Sequence, residues 1–147
     1  MIRFVTWEDW AGWRAMWEGY LRFYREELPE DVTLATFERL CEQRDGLFGV
    51  VAEDAAGDGQ IVGIANAIVH PSTWTPATYC YMEDLFVAPE TRGTHTGEAL
   101  INAVAAEART RGCLKVYWHT QEFNGRARSL YETVARNVSF MVYEMEL

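Results

Sequence analysis

Between Tyr79 and Gly97 the chain reads YCYMEDLFVAPETRGTHTG, the pattern of a strand, a tight corner and the opening of a helix. Apart from Glu83 and Asp84, the residues from Tyr79 to Val87 are aromatic, apolar or β-branched, and Pro89 ends the ladder because it has no N–H to donate. Strand alternation predicts Glu83 on the same face as Tyr81 and Leu85, with Asp84 on the other. The run Arg92-Gly93-Thr94-His95-Thr96-Gly97 follows. It leads into a helix with Leu100, Ala103, Val104 and Ala108 on one side, closed by Arg111 and a C′ glycine at Gly112. Free backbone N–H groups at a helix start, aimed where a strand ends, bind phosphate.

The rest of the chain reads in the same terms. Ile2–Val5 is a short strand. Trp7–Glu27 is a long helix whose Trp10, Trp13, Trp17, Tyr20 and Tyr24 form one aromatic face. That stripe is either core or, at Tyr20 and Tyr24, the wall of a site where an aromatic quadrupole attracts a cation. Val32–Arg44 is a second helix with a stop near Gly46. Leu47–Glu53 and Gln60–His70 are antiparallel strands joined by Asp54–Gly59, in which Gly57 and Gly59 suit a hairpin loop. His70 reads as a strand-end residue, its alternative a base, and Trp74 in the polar loop after it is either a lid over small apolar neighbours or a platform for substrate. Lys115–Thr120 is a further strand, Asn124 caps a helix that runs through Arg136, and Ser139–Glu146 alternates like a closing strand. The order predicts an α/β fold: a mixed, largely antiparallel sheet with helices on both faces.

Composition narrows the function. The 147 residues are expected to form a single domain, with 49% apolar residues to fill its core. No apolar run is long enough to span a bilayer, and MIRFVTWEDW lacks the order of a signal peptide, so the expected location is the cytoplasm, away from membranes. Cys41, Cys80 and Cys113 have no metal-ligand spacing, and neither a metal nor a disulfide is expected. A net charge of −9 disfavours nucleic acid. It either keeps the surface soluble or builds an acidic field around a site for amines. Neither the P-loop nor the dinucleotide fingerprint is present.

The corner Arg92–Gly97, followed after a helix and a strand by Asn124-Gly-Arg-Ala127-Arg-Ser-Leu130-Tyr131, resembles the acetyl-CoA loop and the later N-x-x-A-x-x-L-Y helix of the GNAT superfamily of N-acetyltransferases. The resemblance covers almost the whole chain. STW at 72–74, YCYMEDLFV, VYWHTQEFN and SFMVYEMEL are similar to the microbial subgroup related to the yeast histone and polyamine acetyltransferases. It implies the GNAT acyl-CoA N-acyltransferase fold and acetyl-CoA as the coenzyme. The backbone at Leu85, Phe86 and Val87 would hold pantetheine, and Arg92, Gly93, Thr94, His95, Thr96 and Gly97 the pyrophosphate. Asn124 is implied near pantetheine, although an N-cap role explains it equally. Tyr20, Tyr24 and Trp74 are candidates to border the acceptor.

Acetyl transfer to an amine needs a base, because an alkyl ammonium of pKa ~10.4 is almost wholly protonated at neutral pH. Glu83 is the candidate base, its alternative a salt bridge at a sheet end; Asp84 is assigned a structural role. Tyr131 resembles the family tyrosine that hydrogen-bonds the coenzyme sulfur and protonates it, its alternative a half-buried core residue. His95 replaces the first glycine of the family loop: its side chain either crowds the pyrophosphate or, if the backbone there is helical, points outward or touches a phosphate. The expected activity is acetyl transfer by direct attack in a ternary complex to a small polyamine-like or lysine-like amine, or a peptide lysine. The alternative is an acyl-CoA-binding or regulatory module without turnover. A homodimer exchanging its closing strand is compatible with either.

Overall fold

A computed structural model describes every residue from Met1 to Leu147 except Gly57. Five strands, β1 (Ile2–Phe4), β2 (Leu47–Glu53), β3 (Ile61–Ser72), β4 (Thr75–Val87) and β5 (Cys113–Tyr117), lie in sequential order in one sheet. The first four pair antiparallel and β5 runs parallel to β4. Helices α1 (Trp10–Phe23) and α2 (Glu30–Glu42) precede β2, α3 (Thr96–Thr110) crosses from β4 to β5, and α4 (Gly125–Val134) follows. Among the described residues no helix is long and apolar enough to cross a membrane.

Each face of the sheet has its own core. On one, α3 and α4 cover Phe48, Val50, Ala65, Cys80 and Met82, with Leu100 and Val104 inserted from α3. On the other, the aromatic stripe of α1 meets α2 and the strands through Trp13, Trp17, Phe37, Leu40, Val51 and Ile64. The stripe is a continuous stack, from Trp10 through Trp13, Trp17 and Tyr20 to Tyr24, with neighbouring ring centroids 5.0–6.4 Å apart. Trp13 is fully buried, and its truncation to alanine would cost ~3–5 kcal/mol. Gly19 permits the close approach of α1 to β4, since a Cβ there would lie 2.7 Å from the Phe86 ring.

Several boundaries differ from the sequence pattern. The first helix opens as a 3-10 turn at Trp7–Asp9 and stops at Phe23, and α2 ends at Glu42 because Gln43 adopts a left-handed conformation before Gly46 is reached. The expected loop at Asp54–Gly59 includes Gly57, which lies outside the described residues; across it the Asp54 N–H donates to the Gln60 carbonyl at 2.8 Å. β4 begins at Thr75, so Trp74 stands at the tip of a hairpin. The closing strand expected at Ser139–Glu146 is not formed: among the described residues the chain beyond α4 has no ladder partner, and Phe140, Val142, Tyr143 and Met145 are exposed. Alternation specifies a strand's two faces but not a pairing partner, and β5, the edge next in sequence, is paired with β4 alone.

Candidate active site

β4 departs from regular pairing twice, and both departures shape the site. Its register against β3 passes from Ala67↔Met82 to Asn66↔Asp84, leaving Glu83 as the extra residue of a β-bulge. The bulge resets the alternation. Contrary to simple period-two reasoning, Glu83 and Asp84 therefore line one cleft, whereas Leu85 packs toward α3 on the opposite face. Pairing of β4 with β5 ends at Tyr81↔Tyr117, so beyond that point the β5-side edge of β4 has no strand partner among the described residues.

A first cleft, of about 330 Å³, opens along this free edge. Leu85, Phe86 and Val87, the corner from Thr91 to Glu98 and, from α4, Arg126, Ala127, Leu130 and Tyr131 line it, with Asn124 at the head of α4 and Phe23, Tyr20 and Tyr24 at the end of α1. The corner combines Gly93 at φ 88°, His95 at φ 62° and the first turn of α3, whose leading N–H groups have no partner within the helix. His95 is thus left-handed and outside the helix. Its side chain is 87% exposed, with Nδ1 3.3 Å from Glu98 Oε2. Gly97 is tightly placed, since a Cβ there would approach Leu130 to 3.1 Å. Arg92 donates to the Val87 carbonyl at 3.3 Å, and Arg126 adds a second cation. Asn124 caps α4, accepting from the Ala127 N–H at 3.4 Å. Tyr131 packs edge-on to Trp118, and burial, with a smaller contribution from Tyr24, pushes its phenol up to about 12.

A second cleft, of about 480 Å³, lies on the other side of β4. Trp17, Tyr20, Leu21, Asn66, Glu83 and Asp84 form one part of it, and Thr36, Arg39 and Leu40 of α2 the opposite wall. Asp84 is only 7% exposed and accepts from Asn66 Nδ2 at 3.0 Å; Asn66 Oδ1 in turn lies 3.5 Å from Trp13 Nε1. Burial raises the Asp84 carboxyl to about 6, against the opposing hydrogen bonds from Asn66 and Tyr20, while the neighbouring Glu83 charge adds to the rise. Burial, followed by the Asp84 charge and hydrogen bond, drives the Tyr20 phenol far up, so it stays protonated. Tyr20 lines both clefts and is their shared wall.

The chain as a whole has counterparts among known proteins. The model of the acetyltransferase (GNAT) family matches residues 13–135. The chain belongs to the GNAT family. It is accordingly an acyl-CoA-dependent N-acetyltransferase. Among curated GNAT relatives, the D-amino-acid N-acetyltransferase HPA3 of Saccharomyces cerevisiae is 30% identical over 144 residues, which cover 98% of this chain and 89% of that one. The thialysine N-epsilon-acetyltransferase of Bos taurus is 32% identical over 90 residues, 58% of this chain and 52% of the relative. Among solved GNAT folds, AAC(6')-Iy in complex with a CoA bisubstrate analogue superimposes with a TM-score of 0.85 at 20% identity, covering 100% of this chain and 97% of that one.

For a GNAT enzyme the donor is acetyl-CoA, and the first cleft fits such a group: uncapped N–H donors and two arginines at one end, a free strand edge along its length, and the half-buried phenol of Tyr131. The expected site residues fall unevenly. Leu85 to Val87, Arg92, Gly93, His95, Thr96, Gly97, Asn124 and Tyr131 all line the first cleft, and Thr94 lies in the same corner, its hydroxyl donating to the Thr91 carbonyl. Glu83 lines the second cleft, Tyr20 both, and Tyr24 the first alone. Trp74, 87% exposed at the hairpin tip, lines neither. Sequence reasoning missed Asn66, Arg39 and Arg126. Arg126 was the readable one, because a cation in the first turn of a helix opposes the dipole unless an anion sits beside it.

Proposed function

We propose that the protein acetylates the primary amine of a small polyamine-like or lysine-like acceptor, or of a peptide lysine, by direct attack within a ternary complex. The observation that carries this reading is the meeting of two clefts at Tyr20: one has N–H donors and arginines for an anionic coenzyme, the other has carboxylates for a cation. Acetyl-CoA supplies the activated thioester. The N–H groups of Thr96 and Gly97, with Arg92 and Arg126, would hold its phosphates, and the open edge at Leu85 to Val87 its pantetheine arm. Glu83, at the bulge, takes the proton from the acceptor's ammonium so that the neutral amine can attack, and its exposure lets a water relay that proton. Tyr131 steadies the departing sulfur. A phenol near 12 stands well above a thiol at ~8.5, so the hydroxyl contributes a hydrogen bond more than a transferred proton. No cysteine lines either cleft, which favours direct attack over an acetyl-enzyme.

The GNAT relatives named for D-amino acids and thialysine support an amine acceptor. The non-catalytic alternative rested on His95, and the outward turn of that imidazole toward Glu98 weakens it. The activity is tested by thiol release from acetyl-CoA over a panel of amines. Steady release with at least one amine is expected; tight acetyl-CoA binding with no turnover on any amine would favour the non-catalytic module.

The whole chain is proposed to act as one cytoplasmic domain and to form a homodimer. Among the described residues the tail 139–147 joins no ladder and β5 pairs on one side only, so a second copy can supply the missing ladder. Deleting the residues after Arg136 should then halve the mass measured by light scattering; an unchanged dimer would exclude tail exchange.

A further inference from the structure

The second cleft contains a charge that an amine acceptor alone does not explain. Arg39 projects into it from α2, half-buried, on the wall opposite Glu83 and Asp84. Among the described residues Arg39 takes part in no ion pair and no side-chain hydrogen bond, a state it shares with Arg22, Arg25, Arg109, Arg126 and Arg136. What sets Arg39 apart is its place: among the described residues it is the one cation lining this cleft, where the other charged residues are Glu26, Glu83 and Asp84. The planar fork of its guanidinium matches a carboxylate in two parallel hydrogen bonds, and a polycation would be repelled by it.

The strand order locates the two charges. Glu83 and Asp84 belong to β4, Asn66, Ala67 and Ile68 to β3, and Leu47, beside α2, to β2. The cleft floor therefore spans two strand spacings, ~10 Å, from an acidic end to a basic one. Trp17, Leu21, Leu40 and Ile68 supply apolar surface between them. Glu26, on the exposed segment after α1, also borders the cleft and makes no ion pair with Arg39. A molecule with an ammonium at one end, a carboxylate at the other and a carbon skeleton between them complements this arrangement.

We propose that Arg39 anchors the carboxylate of the acceptor, so that the substrate is a free amino acid in preference to a polyamine. The inference rests on the acetyltransferase reading above and deepens it by naming the substrate class and a specificity residue.

Matched acceptors that differ only by the carboxylate test it. Lysine against cadaverine, ornithine against putrescine and phenylalanine against phenethylamine, each amino acid in both enantiomers, would be assayed by thiol release with the full chain. The accepted amino acids should exceed their decarboxylated partners by at least tenfold in kcat/KM. Arg39→Gln should erase that ratio mainly through a rise in KM of about 10–100-fold, and Arg39→Lys should restore part of it. Preference for the decarboxylated amines, or a ratio that survives in Arg39→Gln, would overturn the proposal while leaving the acetyltransferase intact. If no amine of either kind turned over, the acetyltransferase reading would fail separately. Calorimetric titration of the same amino acids into the coenzyme A-saturated protein would then decide: binding lost in Arg39→Gln sustains the carboxylate anchor, and no binding to the parent removes it. An unchanged melting shift with acetyl-CoA shows that each variant is folded.

Discussion

The two clefts, proposed for donor and acceptor, share β4 and Tyr20, yet they are built in different ways. The first is assembled largely from two short contiguous stretches, Leu85–Glu98 and Asn124–Tyr131, and relies on backbone N–H groups and a free strand edge. The second draws one to three residues each from α1, α2, β2, β3 and β4 and relies on their side chains. A coenzyme common to a family is held by main-chain geometry, which tolerates sequence drift. An acceptor that differs between relatives is held by side chains, which can be exchanged one at a time without disturbing the sheet.

Substitutions on the two sides should therefore leave different marks. The largest effect is expected at Tyr131, where phenylalanine keeps the ring against Trp118 and removes only the hydroxyl. Turnover should fall by roughly 10–1,000-fold with little change in acetyl-CoA affinity. Glu83→Gln, on the acceptor side, should lose most of its rate near neutrality and recover part of it at high pH, where more amine is already deprotonated. Stopped assays from pH 6 to 10 separate the two, and identical profiles would erase the distinction between the clefts.

Asp84 gives a stability effect on the acceptor side alone. Its carboxyl keeps a proton until about pH 6 in the folded protein, whereas an unfolded aspartate releases it near ~3.9. Between those values the native state binds more protons, so stability falls as pH rises from about 4 to 6 and levels off above. The loss is on the order of 2–3 kcal/mol, and Asp84→Asn should flatten that segment of the curve. Urea midpoints measured from pH 4 to 8 would show it; an unchanged slope in the variant would mean that the burial of Asp84 is not what drives it.

The smallest effect is expected on the donor side, at His95. Because His95 is left-handed and outside α3, glycine should relieve strain, raising stability by about 1 kcal/mol and leaving acetyl-CoA binding equal or tighter. Binding weakened tenfold would make the imidazole itself a phosphate ligand.

The same contrast governs what the sequence made legible. The strand, corner and helix of the donor side were readable because local signals act over neighbouring residues: Pro89 ends the strand and the glycines mark the turn. The position of His95 was not, since a left-handed conformation at histidine is imposed by the corner as a whole. Asp84 was placed on the wrong face because a bulge is a property of the β3–β4 register, invisible in β4 alone. Arg39 has the spacing of any polar helical residue, and only the packing of α2 against β2 brings it to the second cleft. The tail alternates like a strand, yet among the described residues it pairs with no edge, although β5 is paired on one side only.

The two clefts function as separate sites only if both substrates are bound together. Initial rates measured over a matrix of acetyl-CoA and amine concentrations test this directly. Lines that intersect in the double-reciprocal plot are predicted, as direct attack between simultaneously occupied clefts requires; parallel lines, the mark of an acetyl group first parked on the enzyme, would contradict it.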